Sequence, residues 1–245
     1  MCKYKSGIVV RDEREKGGYR LVMSPWTESH SELETIFKLR EGKSLKFAKV
    51  EFSPDNMAEA YLVEKYKLAI DEYRTPEWFD DEMKESVASE MADYIKSIIV
   101  HGDVELLIGG QFVIAPDSKI QCAKCMVINA MCGGTLTKMC GGTLIEMCGG
   151  TLTEMCGGTL TNMWGGTLTK MCGGTLTEMC GGTLIEMWGG TLTKMCGGTL
   201  TWMCGGTLTW MCGGTLTVIK SWFNGLIGEI RKWATVIKDE RKAKK

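Results

Sequence analysis

With 245 residues, 44% of them hydrophobic and 24% charged, the chain carries enough apolar surface for one or two cored domains and too much for a disordered polymer. A formal net charge of −1 excludes any general electrostatic attraction to nucleic acid or to an anionic membrane. No apolar run reaches the roughly eighteen residues a spanning helix needs, and the start MCKYKSG lacks the hydrophobic core of a secretion signal, so the expected location is the cytoplasm with no membrane partner.

In chain order, Ile8 to Val10, Tyr19 to Met23, Phe47 to Phe52 and Tyr66 to Ile70 are the first strand candidates. A helix is predicted from Ser31 to Arg40, because Ser29 and Glu32 have capping-box spacing and Leu33, Ile36 and Phe37 share a face. A longer one is predicted from Pro76 to about Ile99. Thr75 is its expected N-cap, and Phe79, Met83, Val87, Met91, Tyr94, Ile95 and Ile98 form one stripe. These elements make residues 1–104 a small α+β domain.

Beyond them, Leu106 to Ile114, Lys119-Ile120 and Cys125 to Ile128 are short apolar strands separated by turn residues. From Met131 to Val218 the unit Met-Cys-Gly-Gly-Thr-Leu-Thr-x then recurs eleven times without insertion. Paired glycines every eight residues, each costing about 1 kcal/mol in a helix, exclude that conformation. Thr-Leu-Thr favours extended chain and Gly-Gly a corner, so one octad is one side of a coil.

Stacked coils bring equivalent residues about 4.8 Å apart, where like charges repel. Stacking every sixteen residues gives the ladder Lys138, Glu154, Lys170, Glu186 on one side and Glu146, Asn162, Glu178, Lys194 on the other, with no like neighbours. Stacking every twenty-four would set Glu154 on Glu178 and Lys170 on Lys194. The fold class expected is therefore an α+β N-terminal domain followed by a β-solenoid, a parallel β-helix of 16-residue, two-sided coils. It spans residues 105–237, with the octads at 131–218 making about five and a half turns and a rod about 26 Å long. Near-invariant Leu and Met are expected to line the core. A rival register, with both threonines and Met inside and Leu and Cys outside, draws some support from Ile145 and Ile185 replacing Thr. Trp222-Phe223 and Ile230 to Ile237 are irregular last coils or a cap, which the exposed end of a solenoid requires. Residues 238–245 form a basic tail, the end of a stretch with eight Lys or Arg against three acids from Ile219 onward.

Several residues invite a chemical reading. Removal of Met1 would give Cys2 a free amine beside its thiol, a nucleophile that His30 would assist; these are the candidate catalytic pair. Cys122 and Cys125 have half the spacing of a zinc site, but packing in a first coil explains them better, and no metal or cofactor is expected. Nine of the twelve cysteines recur once per repeat, which is periodicity rather than disulfide pairing. Cys132, Cys148, Cys180, Cys196 and Cys212 fall on one side and Cys140, Cys156, Cys172 and Cys204 on the other. Facing outward, such ladders have the chemistry to bind soft metals; stacked small polarizable side chains are the plainer explanation. Trp164, Trp188, Trp202 and Trp210 replace Cys or a charged residue and, facing outward, mark a surface for a protein partner or for self-association.

Two resemblances add to this. Gly-Gly-Thr-Leu-Thr at an eight-residue period resembles the Gly-Ser-Thr-x-Thr octapeptide of bacterial ice-nucleation proteins, although Met-Cys-Gly stands where those have Ala-Gly-Tyr. The whole chain is similar in layout to uncharacterised proteins of bacteriophages and prophages. The residues that carry this likeness are Cys2-Lys3-Tyr4-Lys5-Ser6, Ser29-His30, Pro76-Glu77-Trp78-Phe79 and Leu106 to Gly110, ahead of the octads. That likeness implies a viral or mobile-element origin and a bacterial host cell, without an activity. The expected function is a non-enzymatic binding or scaffold protein. Ice binding through Thr-x-Thr rows and an N-terminal-cysteine enzyme with a solenoid targeting arm are the alternatives. DNA mimicry is disfavoured, because three Lys and four Glu give the repeat no dense anionic face.

Overall fold

A computed structural model describes residues 4–39, 46–72, 74–230 and 235–239, with the side chains of 220–226, 229, 238 and 239 left aside. The chain divides into two compact units, Met1–Ile98 and Ile99–Lys245.

In the first unit, strands β1 (Lys5–Arg11) and β2 (Tyr19–Val22), helix α1 (His30–Ile36), strands β3 (Phe47–Pro54) and β4 (Tyr66–Ile70), and helix α2 (Asp81–Ile98) follow one another. The strands form an antiparallel sheet in the order β2-β1-β3-β4. Central β1 is buried on both faces from Lys5 to Val10. Ile8 and Val10 pack with Val22 of β2, Leu33 of α1 and Leu39. The other face meets α2, whose Val87, Met91, Ile95 and Ile98 are buried, whose Tyr94 ring lies 4.9 Å from Lys5 Nζ, and whose Glu90 accepts a 2.5 Å hydrogen bond from Tyr19.

All four strand expectations hold to within a few residues. Ser29 caps α1 by accepting from the Glu32 amide, but the helix stops at Ile36 rather than running to Arg40. Phe37 leaves helical geometry and Lys38 takes φ +55, the left-handed turn that ends many helices. Helix α2 begins five residues later than predicted. Thr75 and Pro76 do not start it; instead Asp80 Oδ1 accepts a 2.9 Å hydrogen bond from the Met83 amide, satisfying one of the free donors of the first turn.

The second unit is a parallel β-solenoid with two sides per coil. Strands Asp103–Ile108, Lys119–Lys124, Thr135–Met139, Thr151–Met155, Thr167–Met171 and Thr183–Met187 stack on one side, here called side one. Gln111–Ile114, Val127–Met131, Thr143–Met147, Thr159–Met163, Thr175–Met179 and Thr191–Met195 stack on side two. The register is sixteen residues throughout the octads: Leu136 pairs with Leu152, Glu154 with Lys170, Glu178 with Lys194.

Within each octad strand Leu and Met are fully buried, and both threonines and the eighth residue face outward. The register with threonine inside and leucine outside is therefore not adopted. Leu and Met are three apart, so a small bend between the second threonine and the eighth residue turns both to solvent and returns Met to the core. The result is one continuous column of Leu and Met, closed below by Ile114, Ile120 and Ile128 and above by Ile219.

The corners explain why both glycines recur. At Gly174, φ is +78, and a Cβ would meet the Gly158 carbonyl oxygen at 2.6 Å and Met155 Cε at 2.9 Å. At Gly173 the backbone angle is ordinary, but a Cβ would lie 2.5 Å from the Cys156 carbonyl oxygen of the coil below. The close approach lets the corner amides pair as well: Cys172 N donates to Met155 O at 2.9 Å and Thr175 N to Gly158 O at 2.9 Å. Each coil thus satisfies its turns and its strands against its predecessor.

The degenerate first coils expected before Met131 are present, with Asp103–Ile108 pairing with Lys119–Lys124 in the same parallel sense. At the other end the coils continue but lengthen. Strand pairing is continuous through the corners of Thr199–Met211 and Thr215–Ile230, although Gly206 keeps the left-handed φ of +79 seen at the other corners, and Thr215 pairs with Thr235, twenty residues on. The register shifts between Met203 and Gly205.

Candidate functional site

The chemistry-bearing residues of the solenoid lie along two edges, set by the octad. Its eighth residue ends the outward part of a strand and its second begins the corner, so a residue at the eighth position, the corner residue two later, and the corner residue one coil above are neighbours. Edge one follows side one and carries Lys138, Cys140, Glu154, Cys156, Lys170, Cys172, Glu186, Trp188, Trp202 and Cys204. Edge two follows side two and carries Glu146, Cys148, Asn162, Trp164, Glu178, Cys180, Lys194, Cys196, Trp210 and Cys212.

The charge ladders pair in part as their signs require, with Lys170 lying 5.7 Å from the Trp188 ring centroid instead of forming an ion pair with Glu154 or Glu186. Lys138 Nζ is 3.6 Å from Glu154, Lys194 Nζ is 2.7 Å from Glu178 Oε1, and Asn162 donates to Glu146 at 3.0 Å. The cations hold the carboxyls of Glu154 and Glu178 below the usual carboxylate range, by charge from Lys138 in the first and by the Lys194 hydrogen bond in the second.

Cysteines line the corners, mostly half-buried. Partial burial, reinforced by neighbouring thiols and carboxylates, raises the Cys148, Cys156, Cys172, Cys180 and Cys196 thiols above their ordinary value. They are therefore protonated at neutral pH and poor nucleophiles. Cys122 Sγ lies 3.9 Å from Cys140 Sγ in the coil above, the packing expected of it, whereas Cys125 is exposed with φ +48 and does not pack in the coil.

Trp164, Trp188 and Trp202 are 56%, 48% and 38% exposed, high for side chains of this size. Trp210 is half-buried, with Lys194 Nζ 5.9 Å from its ring centroid. The four indoles do not form one surface. Trp188 and Trp202 share edge one, with Glu186 between them accepting from Trp188 Nε1 at 2.7 Å and pairing in register with Trp202. Trp164 and Trp210 share edge two, three coils apart, and Trp164 Nε1 donates to Glu146. The sequence names these residues but not this partition, which follows from assigning 164 and 210 to side two.

Of the proposed catalytic pair, Cys2 lies outside the described residues. His30 is buried at the start of α1, where Nε2 lies 3.1 Å from the Val50 carbonyl oxygen and Nδ1 3.0 Å from Asp71 Oδ2. Both nitrogens already face oxygen partners, which ties α1 to β3 and to the residue after β4. The same unit holds a half-buried ion pair that the sequence did not single out: Lys5, fully buried, donates to the partly exposed Glu28 at 3.0 Å and to the Ser24 carbonyl at 2.5 Å. Among the described residues, no helix is long and apolar enough to cross a membrane.

The fold defines a parallel β-solenoid protein with an attached α+β unit. Comparison with protein-family models, with curated proteins and with solved structures finds no match.

Proposed function

We propose that this is a non-enzymatic binding or scaffold protein, encoded by a bacteriophage or prophage and resident in the cytoplasm of a bacterial host cell, whose solenoid presents a rigid face to a protein partner or to a second copy of itself. The observation that carries this is the pair of exposed indoles Trp188 and Trp202 on one edge of a solenoid whose coils are hydrogen-bonded at every corner. Large aromatic side chains held on a stiff backbone lose little entropy on binding, which is why such residues dominate interface energetics. Stacked coils extend that surface without any new fold.

The reading is tested by capture from a bacterial lysate with the wild-type chain and with Trp188→Ser/Trp202→Ser, alongside sedimentation of both proteins alone. A specific partner or a dimer lost in the variant, with unchanged circular dichroism, supports the reading. Identical capture and identical sedimentation overturn the proposed edge.

A second reading is favoured by the outward threonines, which stack in register on both sides, as in Thr135, Thr151 and Thr167 or Thr143, Thr159 and Thr175. Such rows are a regular hydroxyl lattice suited to ice. Absence of thermal hysteresis at millimolar protein removes it. The cysteine-enzyme reading gains nothing from His30, whose nitrogens are both engaged within the unit.

A further inference from the structure

We propose that Glu178, Cys180 and Cys196 form a binding site on edge two for a thiophilic divalent cation of the Zn2+ or Cd2+ type. One ligand atom from each of the three lies within 4.8 Å of those of the other two, and the Cys196 thiol is 3.4 Å from Glu178 Oε1. Zinc takes sulfur at about 2.3 Å and carboxylate oxygen at about 2.0–2.2 Å, so tetrahedral ligands sit roughly 3.3–3.8 Å from one another. Rotation about side-chain bonds closes the remaining gap. Cys212 Sγ, 3.1 Å from Cys196 Sγ, offers a further soft donor one coil above.

The arrangement is specific to certain octads. A glutamate needs cysteine both two residues later, at its own corner, and eighteen later, at the corner above. Of the four repeat glutamates only Glu154 and Glu178 meet both conditions. Glu146 has Trp164 at the upper corner and Glu186 has Trp188 at its own, and in each case the indole N–H donates to the carboxylate in place of a thiol. Glu154 is a looser version, with the Cys172 thiol 3.6 Å away.

Charge also balances at Glu178. Two thiolates and a carboxylate around a divalent cation leave one negative charge, and Lys194, 2.7 Å from Glu178 Oε1, supplies the compensating positive one. The ion takes the place of the two thiol protons, which leave to solvent, and no oxidation is involved, so affinity rises with pH.

The test is Zn2+ titration of the full chain under a phosphine reductant, followed by calorimetry and by X-ray absorption at the zinc edge. Cys180→Ser/Cys196→Ser is expected to bind one equivalent fewer than wild type. Glu178→Gln should weaken that equivalent about tenfold or more. Cys132→Ser/Cys148→Ser, two ladder cysteines on the same edge outside any such triplet, should leave uptake unchanged. The absorption spectrum should contain sulfur at about 2.3 Å together with a nearer oxygen shell. Circular dichroism establishes that each variant retains its strands. Equal uptake by wild type and Cys180→Ser/Cys196→Ser, or no uptake by wild type, overturns the proposal.

Discussion

Gly141 and Gly173 occupy the same place in the same local sequence, Met-Cys-Gly-Gly-Thr-Leu, yet replacing each by alanine should have opposite effects. Neither has a left-handed φ. A Cβ at Gly173 would lie 2.5 Å from the Cys156 carbonyl oxygen, whereas at Gly141 it would meet nothing within 4 Å. The obstruction at Gly173 is backbone, held by its own coil, so Gly173→Ala is expected to cost about 1–3 kcal/mol in forced displacement. Gly141→Ala should be neutral or stabilise by about 0.4–1 kcal/mol, because alanine narrows the unfolded ensemble without strain. A solenoid opens locally and the chain has two units, so a single melting temperature would blur the difference. Hydrogen exchange read on peptides spanning the substituted corner resolves it. Faster exchange around Gly173→Ala and unchanged or slower exchange around Gly141→Ala is the expected pair. Equal effects would mean that octad sequence, and not contact between coils, sets the glycine requirement.

Other perturbations separate the remaining elements of the account. Leu176→Ala should destabilise the solenoid by about 2–5 kcal/mol through the cavity it leaves, while outward-facing Thr177→Ala changes stability by about 0.5 kcal/mol or less; local hydrogen exchange of the Thr175–Met179 strand distinguishes them. Glu28→Ala leaves Lys5 buried beside an unfilled partner and should cost the first unit about 3–5 kcal/mol, whereas Lys67→Ala, removing an exposed ion pair with Asp55, should cost at most about 1 kcal/mol, both read by urea denaturation. Because Lys194 lowers the folded-state value of the Glu178 carboxyl, the pair's stabilisation is present above the unfolded glutamate value and is lost as pH falls through the lowered one. In Lys194→Met the Glu178 carboxyl, followed by NMR, should titrate at higher pH than in wild type; an unmoved midpoint would show that the ion pair does not form in solution.

The solenoid was legible because periodicity within one chain does the work that a comparison of related sequences usually does. Eleven copies expose which positions tolerate change, and the signs at the eighth position choose a sixteen-residue coil over a twenty-four-residue one. The inward direction of Leu followed from its constancy, although strict alternation argued against placing Met beside it; the bend that reconciles the two is a backbone detail without a sequence signal. Helix ends were harder. Thr75-Pro76 is a sound start signal overridden by Asp80, which caps α2 five residues on, and the left-handed Lys38 that follows α1 carries no mark, lacking the glycine usual there. The tryptophan edges and the Glu178 cluster were hidden for another reason. Residues eighteen apart become neighbours in a sixteen-residue coil, but they share an outer edge only if the eighth residue and the corner both face solvent, and the competing registers left that open.

Two-sided, sixteen-residue coils underlie both edges and every contact drawn from them, and one distance tests the coil directly. Nitroxides attached by ketoxime chemistry at positions 121 and 217, glutamine and threonine in the chain, leave the cysteines untouched and report their separation by pulsed electron resonance. Ninety-six residues make six stacked coils on one side, so the expected backbone separation is about 29 Å at a spacing of about 4.8 Å per coil. A separation of about 19 Å, the rise of four coils of twenty-four residues, would contradict the fold.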